Sequence, residues 1–355
     1  MTRPIAITRT AAPKTKPDQN DLGFGRFFSD HQGQMDWTAE GGWGPPRVVP
    51  YGPIPLDPAA GVLHYGQAMF EGLKAFRQPD GGVKLFRPEA HVQRMIVGAP
   101  RLCMPSPPAD DMLELLKAFV RADLDWVPSA PMTSLYVRPT LIATDAFLGV
   151  RPASKYLFFV IGSPVGAYYS GGLRPVRIWV ERSQTRAAKG GLGAVKAGAN
   201  YVASLYAANK AKKDGYDQVL WLDSVKHETI EEVGTMNLFV VFGDELVTPP
   251  LSDSILAGVT RDSIMALGQD LGLKVSERAI TVQELVDGEK SGRLKEVFGS
   301  GSAAVVSPVG ELAIGDNKIL PGKGEAGPVC QSLYDAITQI QRGTRPDKHA
   351  WMMPV

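Results

Sequence analysis

Residues 228–242 read ETIEEVGTMNLFVVF, and this run predicts a buried strand with a carboxylate at its entrance. Residues 236–242 are apolar except for one asparagine and include the aromatic and β-branched types that strands favour. The Gly243–Asp244 pair is typical of a turn into a following strand. A carboxylate that enters such a strand must be paired or protonated. We expect Glu231 to be a solvated turn residue, which leaves Glu232 in need of a partner.

Strands and helices alternate on both sides of this run, which predicts two α+β or α/β domains. A chain of 355 residues suits two domains, because single cores stop growing near ~250 residues. We expect an N-terminal domain over 1–169, a connection over 170–181 and a C-terminal domain over 182–355. The predicted strands are 133–144, 155–169, 177–183, 216–223 and 236–250, with a hairpin turning at 79–82; the predicted helices begin near Asp110, Asn200 and Val259.

Composition excludes several classes of function. The 38 basic and 37 acidic residues give a formal charge of +1, and no block of Lys and Arg stands out. Nucleic acid and anionic membranes are therefore not expected partners. No stretch approaches the roughly 18 apolar residues of a membrane span. Cys103 and Cys330 lie far apart without zinc spacing, which predicts two ordinary buried thiols in a reducing compartment.

The N-terminal segment MTRPIAITRTAAPKTKPDQND lacks the apolar core of a secretory signal. It is basic and has no acidic residue before Asp18, as transit peptides often are. Prolines at positions 4, 13 and 17 disfavour the amphipathic helix that a transit peptide would form. We expect a frayed terminus of a cytoplasmic protein.

A lysine in an unusual setting is the first candidate for chemistry. Lys196 lies in GGLGAVKAGANY (190–201), a run of small and apolar residues directly before a predicted helix. Desolvation and the positive N-terminal end of a helix both lower the pKa of an amine, which makes it a nucleophile. Lys196 could form a Schiff base with a carbonyl substrate or with pyridoxal phosphate, or it could merely cover a glycine turn.

Several short segments resemble known nucleotide-binding or catalytic motifs, but their flanking residues do not fit. GGLGAVKAG lacks the flanking residues of a P-loop. GSGSAA (299–304) matches a dinucleotide fingerprint in letters, but strand-like VVSPVGE follows it where a helix is required. HETIE (227–231) lacks the second histidine of a zinc protease, and no G-x-S-x-G elbow occurs. We predict no metal site.

Two further features fit one cofactor. ILAGVTRDSI places Gly258, Val259 and Thr260 at a helix start, where backbone N–H groups and the helix dipole can hold phosphate, although a plain threonine cap is an equal alternative. A protonated pyridine nitrogen would be a fitting partner for Glu232. An amine, a carboxylate and a phosphate cradle match the aldehyde, ring nitrogen and phosphate of pyridoxal phosphate.

The motifs LHYGQAMFEGLKAFR, SLYVRPTLI, PVGAYY, VKAGANY, EVGTMNLFV, GVTRDSI and EVFGSGSAA occur in this order. Together they resemble the branched-chain amino acid aminotransferases, and the likeness runs from about Phe24 to the C-terminus. EVGTMNLF is similar to the strand specific to fold-type IV pyridoxal-phosphate enzymes. The resemblance implies a two-domain fold: a smaller α+β N-terminal domain, and a larger C-terminal domain with a β-barrel-like core ringed by helices.

The resemblance implies roles for residues around pyridoxal 5′-phosphate. Lys196 resembles the catalytic Schiff-base lysine, Glu232 the partner of the ring nitrogen, and Tyr201 the phenol that hydrogen-bonds O3′. Arg94 is similar to the arginine that holds the phosphate. The remaining phosphate contacts would come from the N–H groups of Val259 and Thr260 and the hydroxyl of Ser302.

Substrate residues are implied in the same way. Thr235 and the N–H of Ala303 resemble the groups that receive the α-carboxylate. The pocket wall of the same subunit would comprise Phe28, Phe70, Arg138 and Tyr168. Residues that resemble those reaching in from a partner subunit, which implies a homodimer, are Tyr65, Tyr136 and Val150.

The sequence departs from the family at three places. Ala199 stands where the family usually has glycine, and we make no prediction of its effect. Ser302 replaces the usual threonine and keeps a hydroxyl. The C-x-x-C of the mammalian enzymes falls on AVVS (304–307), so a thiol switch at that place is excluded.

The implied reaction is a ping-pong transamination of L-leucine, L-isoleucine or L-valine with 2-oxoglutarate. Lys196 would carry the proton between Cα and C4′ of the cofactor, and Arg138 would face the γ-carboxylate of glutamate. The alternatives are another fold-type IV enzyme, such as a D-amino-acid aminotransferase or an aminodeoxychorismate lyase, a non-catalytic protein that binds pyridoxal phosphate, and a cofactor-free Schiff-base lyase.

Overall fold

The computed structural model describes residues 3–166 and 173–355. Its strands are β1 (Ala6–Ile7), β2 (His31–Thr38), β3 (Gly42–Trp43), β4 (Arg47–Pro50), β5 (Ala68–Phe70), β6 (Leu73–Arg77), β7 (Val83–Phe86), β8 (Ser134–Ala143), β9 (Lys155–Val165), β10 (Val176–Val180), β11 (Gln218–Leu222), β12 (Ile230–Val233), β13 (Met236–Phe242), β14 (Glu245–Thr248), β15 (Lys274–Glu277), β16 (Leu294–Gly301), β17 (Val305–Ile314), β18 (Asn317–Ile319) and β19 (Met352–Pro354). Its α-helices are α1 (Gly61–Tyr65), α2 (Pro88–Gly98), α3 (Ala109–Ala122), α4 (Gly198–Lys213), α5 (Val259–Asp270), α6 (Val282–Lys290) and α7 (Pro328–Gln341).

The described residues form two compact units. The first comprises 3–166, Val195–Gly198 and Ile340–Val355, and the second comprises 173–194 and Ala199–Gln339. Two segments that are distant in sequence therefore belong to the N-terminal unit, and one of them contains Lys196. The sequence-based boundaries at 170–181 stay a prediction for where independently folding domains begin and end.

A mixed sheet forms the centre of the first unit, with the strand order β1-β4-β2-β9-β8-β6-β7-β19. Its longest pairing joins β8 and β9 over ten residue pairs, from Ser134↔Val165 to Ala143↔Tyr156. Helix α3 packs an apolar face against this sheet. Leu115, Leu116 and Phe119 form this face, since they recur at helical spacing and are almost wholly buried. The sheet and this helix share one hydrophobic core.

A closed barrel forms the centre of the second unit. Its sheet has the order β12-β11-β10-β17-β16-β13-β14-β15, and β12 also pairs with β13. The six strands β10, β11, β12, β13, β16 and β17 therefore close into a ring. Valine, leucine and isoleucine side chains from these strands form its hydrophobic core. The predicted β-barrel-like core and the mixed α/β class are confirmed.

Most predicted elements match the structure. The run ETIEEVGTMNLFVVF (228–242) contains β12, a two-residue turn and β13, and Gly234 adopts φ +57 in that turn. The helix predicted from Asn200 is α4, which ends two residues before Gly215 at φ +84, a conformation that glycine adopts without steric cost. Strand β17 follows GSGSAA, so the rejection of a dinucleotide fingerprint is confirmed.

Two expectations about residues of the first unit are wrong. The N-terminal segment is not frayed: β1 pairs in parallel with β4, and Arg3 forms an ion pair with Asp111 of α3. Edge pairing supplies the backbone hydrogen bonds that a helix would have supplied. Cys103 is exposed rather than buried, because it follows a 3₁₀ turn in the left-handed conformation (φ 53), whereas Cys330 is buried in α7 as expected.

Glu231 also differs from the expectation. It lies within β12 and is half-buried rather than solvated in a turn, and its carboxylate accepts a hydrogen bond from Ser254. Burial raises the pKa of Glu231 above the ordinary value of 4.5. The strand begins one residue before Glu231, so both glutamates of the pair belong to the sheet.

Truncation of the α3 core tests the packing of the first unit. Leu115 is 0% exposed and Leu251 is 48% exposed. We expect Leu115→Ala to lower the free energy of unfolding by about 2–5 kcal/mol, since it removes buried surface and leaves a cavity. Leu251→Ala, the matched control, should change it by less than about 0.5 kcal/mol. Urea unfolding followed by circular dichroism measures both, and equal changes would contradict this packing.

Candidate active site

Lys196 is held in place through its backbone. The Lys196 carbonyl accepts a hydrogen bond from the N–H of Phe70 at 3.1 Å, and the neighbouring Ala197 bridges to Met69 of β5. These two contacts attach the backbone on both sides of the lysine side chain to β5.

The Lys196 amine lies in an apolar and electropositive environment. Its Nζ atom lies 4.9 Å from the centre of the Phe70 ring. Burial, and then the positive charge of Arg94, lowers the pKa of Lys196 from 10.5 to about 8. Glu71 and Tyr136 oppose this shift, and Arg138 adds to it. The pKa of Lys196 is therefore lowered as predicted, and Arg94 supplies part of the positive charge that lowers it.

Arg94, on α2, pairs with a buried carboxylate that the sequence analysis did not consider. Its Nε atom lies 2.7 Å from Oε1 of Glu71, and its Nη2 atom lies 2.7 Å from Oε2. His91, one turn earlier on α2, lies 2.8 Å from the same Oε2 atom through Nδ1. Arg94 is thus a fixed, largely buried cation rather than a surface arginine.

Arg138 lies beside two aromatic residues: Phe70, predicted for the pocket wall of the same subunit, and Tyr136, predicted to reach in from a partner subunit. Its guanidinium group lies 4.5 Å from the Phe70 ring centre and 5.2 Å from that of Tyr136. It also donates a hydrogen bond to the Tyr136 hydroxyl at 3.1 Å. Gly72 makes room for this hydroxyl, because a Cβ atom there would lie 1.9 Å from it. Lys196, Phe70, Tyr136 and Arg138 therefore form one group.

Other predicted pocket residues of the first unit lie outside this group of contacts. Phe28 stacks on Tyr51 with 5.5 Å between ring centres. Tyr65 is 47% exposed and donates to the Leu148 carbonyl, and Val150 is 87% exposed. Tyr168 lies outside the described residues.

Glu232 is buried in the second unit and is held by three groups. Its Oε2 atom lies 2.9 Å from Nε of Arg186, which is itself buried. Its Oε1 atom accepts hydrogen bonds from the backbone N–H of Leu256 at 3.0 Å and from the Asn237 amide at 3.3 Å. The expectation that this carboxylate must be paired is met by a residue that the sequence analysis did not identify, Arg186.

The strand register places Glu232 in a polar row across the barrel wall. Glu232 of β12 is opposite Asn237 of β13, which is opposite Ser300 of β16. Directly opposite residues of antiparallel strands project from the same face of the sheet. The Ser300 hydroxyl is buried and has no hydrogen-bond partner among the described residues. A polar ligand on this face would find an acceptor, an amide and an unsatisfied hydroxyl.

The start of α5 is close to this row. Gly258 precedes the helix, and among the described residues no side chain caps it. A Cβ atom at Gly258 would lie 1.9 Å from Oδ1 of Asn237, so the close approach of the helix start to Asn237 requires glycine. Val259 and Thr260 are buried in the first turn, where backbone N–H groups suit an anion.

The remaining predicted residues of the second unit lie in turns or at a helix start. Thr235 is exposed in the turn between β12 and β13, and Ser302 and Ala303 are half-buried in the turn between β16 and β17. Tyr201 lies half-buried in the first turn of α4, where Ala199 is exposed. Turns and loops carry many of the residues that bind ligands in proteins.

Comparison with known proteins identifies the family. The family model "Amino-transferase class IV" matches residues 68–312, which is well over half of the chain. The chain belongs to the class IV aminotransferases. The predicted resemblance and the aminotransferase activity are confirmed, and the matched region contains Arg94, Lys196, Glu232 and Thr260.

Individual relatives of this aminotransferase carry a narrower name. "Branched-chain-amino-acid aminotransferase 2" of Bacillus subtilis is 48% identical over 351 residues, covering 99% of this chain and 97% of the relative. The crystal structure of the Escherichia coli branched-chain amino acid aminotransferase is similar with a TM-score of 0.74 at 30% identity, covering 90% of this chain and 98% of the other. A branched-chain amino acid aminotransferase from T.th., solved with pyridoxamine 5′-phosphate, has a TM-score of 0.74 at 29% identity, covering 90% of this chain and 97% of the other. The aminotransferase belongs to this branched-chain family.

Sequence reasoning missed four polar residues of the aminotransferase that contact the predicted ones. They are Glu71, His91, Arg186 and Asn237. Glu71 lies in the quoted motif FEGLK, where an acid between phenylalanine and glycine could have been recognised as buried. Arg186 and His91 have no comparable signal, since their partners are distant in sequence.

Among the described residues, no group of three His, Cys, Asp or Glu side chains could hold a metal ion. Within the same ranges, none of the helices has the length and apolar character needed to cross a membrane.

The reactivity of Lys196 should depend on pH in a defined way. An amine is a nucleophile when uncharged, so a pKa of about 8 predicts that reactivity rises through pH 8 rather than through the ordinary value of 10.5. Trace labelling of the cofactor-free protein with acetic anhydride, followed by mass spectrometry of the peptide that contains Lys196, measures this curve. Lys196→Ala is the control that removes the labelled site. A midpoint near 10.5 would contradict the desolvated setting.

Proposed function

We propose that this enzyme transfers the amino group of L-leucine, L-isoleucine or L-valine to 2-oxoglutarate, giving branched-chain 2-oxo acids and L-glutamate. The 48% identity with the Bacillus subtilis relative over nearly the whole chain carries this proposal. The buried, weakly basic amine of Lys196 supplies the chemistry that such a reaction requires.

The residues present fit pyridoxal 5′-phosphate by their chemistry. An amine with a lowered pKa suits its aldehyde, a buried carboxylate suits its ring N–H, and an uncapped helix start suits its phosphate. The unsatisfied Ser300 hydroxyl in the polar row is a further sign that this face is built for a polar ligand. We propose that the cofactor is held by Lys196, Arg94, Tyr201, Glu232, Val259, Thr260 and Ser302.

When bound, the cofactor stores the amino group and accepts the electron pair released at the substrate carbon. The enzyme's residues do the rest. Lys196 removes the proton from Cα of the amino acid and returns it at C4′, a task for which an amine with a pKa of about 8 is suited at neutral pH. Glu232 would accept a hydrogen bond from the ring N–H and so keep that nitrogen protonated. Tyr201 donates to O3′, and Arg94 holds the phosphate.

Substrate recognition combines apolar and cationic groups. Phe70 presents its ring to Lys196 and to Arg138, so an aliphatic chain and a γ-carboxylate could each find a partner in this group. We propose that Phe28, Phe70 and Tyr168 contact the side chain, that Arg138 faces the γ-carboxylate of glutamate, and that Thr235 and the Ala303 N–H receive the α-carboxylate.

We also propose a cytoplasmic homodimer in which Tyr65 and Val150 reach the partner's site. Apolar side chains near Tyr65 support an interface, because Leu148 is 61% exposed and Phe147 is 46% exposed. Tyr136 differs, since it is buried beside Arg138 of its own chain. Both cysteines are free thiols, which agrees with a reducing compartment.

Turnover with purified enzyme tests the proposed function. We expect the holoenzyme to convert L-leucine and 2-oxoglutarate into glutamate and to be inactive with D-alanine. Turnover of D-alanine instead would favour a D-amino-acid aminotransferase, and lyase activity on aminodeoxychorismate would favour that enzyme. A bound cofactor whose spectrum does not respond to leucine would indicate a non-catalytic binding protein.

A further inference from the structure

Glu71 is a buried carboxylate with an unusual set of partners. Its side chain is 1% exposed, and it binds Arg94 through two parallel contacts of 2.7 Å, from Nε to Oε1 and from Nη2 to Oε2. This two-pronged arrangement fixes the plane of the guanidinium group as well as its position. A single contact would leave the group free to rotate. Glu71 therefore determines how Arg94 is oriented.

The backbone around Glu71 is itself fixed. The Glu71 N–H donates to the Pro139 carbonyl of β8 at 2.8 Å, and the preceding N–H, of Phe70, donates to the Lys196 carbonyl at 3.1 Å. The carboxylate is thus attached to the same backbone segment that positions the lysine. Movement of Arg94 relative to Lys196 would require Glu71 to move.

The charge state of this group is defined. Burial opposes ionisation of Glu71, but the Arg94 guanidinium and His91 outweigh it and hold the pKa of this carboxyl well below its usual range. Burial lowers the pKa of His91, against the influence of Glu71. Glu71 and Arg94 therefore form an ion pair with no net charge. The pair fixes the orientation of the Arg94 guanidinium, but it weakens the attraction of that group for an anion such as a phosphate.

We propose that Glu71 is a positioning residue that orients Arg94 to receive the phosphate of the cofactor. The inference rests on the proposed function, because it assumes that Arg94 meets that phosphate. It adds that orientation, and not charge alone, is what Arg94 contributes. Removal of the Glu71 charge leaves the Arg94 guanidinium without the carboxylate that neutralises it. By charge alone, the variant would bind phosphate more tightly. If orientation matters more than charge, the variant binds phosphate more weakly.

The test compares a ligand with the phosphate to the same ligand without it. Equilibrium binding of pyridoxal phosphate and of pyridoxal to the full-length apoprotein is measured for wild type, Glu71→Gln and Arg94→Lys. We expect Glu71→Gln to weaken binding of pyridoxal phosphate by about tenfold or more while binding of pyridoxal changes less than about twofold. Arg94→Lys keeps the charge but cannot form the two-pronged pair, and it should show the same selective loss.

Three results would overturn the proposal. They are unchanged or tighter binding of pyridoxal phosphate by Glu71→Gln, an equal loss for both ligands in a folded variant, or wild-type selectivity in Arg94→Lys. If Glu71→Gln does not fold, Glu71→Asp decides, because it keeps the charge but is one methylene shorter and cannot make both contacts with Arg94 in the same geometry. A selective loss of pyridoxal phosphate binding supports the proposal, and binding equal to wild type overturns it. A wild type that binds both ligands equally would instead contradict the assigned role of Arg94 and with it the proposed function.

Discussion

Replacing Lys196 with alanine should abolish transamination while leaving the fold intact. We expect turnover of L-leucine with 2-oxoglutarate to fall by at least about 10³-fold, because the variant loses the amine that takes and returns the proton. The Lys196 side chain as a whole is half-buried, although its amine is desolvated, and it lies over one aromatic ring, so its removal should cost little stability. Steady-state kinetics and thermal unfolding of the variant measure the two effects.

A second buried lysine provides the matched control. Burial, together with Arg342, lowers the pKa of Lys74 in β6 to about 8, the same value as for Lys196. Low basicity therefore does not distinguish the two lysines. Lys74→Met should retain activity within about tenfold, since its apolar chain suits the buried position. Loss of activity in Lys74→Met with full activity in Lys196→Ala would reverse the assignment.

The second large effect is expected at Glu232. Glu232→Gln should lower turnover by on the order of 10²-fold, because a neutral amide no longer favours a protonated ring nitrogen. It should also destabilise the enzyme by roughly 3 kcal/mol, since it leaves Arg186 buried without its counter-ion. Kinetics and urea unfolding of the same preparation measure both losses.

A double variant separates the two consequences. In Glu232→Gln with Arg186→Met, the buried cation that lost its ion-pair partner is also removed, so stability should recover in part while turnover stays low. If turnover recovered along with stability, the loss in Glu232→Gln would be structural. The role proposed for Glu232 toward the ring nitrogen would then be wrong.

The sequence carries the local structure of this fold well. The apolar runs that became β8, β9, β13 and α3 were predicted from their hydrophobic periodicity and flanking turn residues, which act over short distances. The pairings of β10 with β17 and of β13 with β16 have no local signal, because they join strands that are distant in sequence. The same holds for the return of residues 340–355 and 195–198 to the first unit.

In the candidate site, too, features with a local signal could be predicted and contacts between distant residues could not. Lys196 and Glu232 were recognisable because a charged group in an apolar segment requires a reason. Their partners were not, since Arg186 lies 46 residues before Glu232, and Arg94 lies 23 residues after Glu71. The exposure of Cys103 depends on one left-handed residue after a 3₁₀ turn, which composition cannot reveal.

Covalent attachment of the cofactor to Lys196 can be located directly. Borohydride reduction of the holoenzyme fixes the cofactor to whichever lysine holds it, and mass spectrometry of the digested protein then locates the added mass. We expect the modified peptide to contain Lys196, and we expect Lys196→Ala to yield none. Modification at Lys74, or no modification of any lysine in a protein that retains bound cofactor and activity, would contradict it.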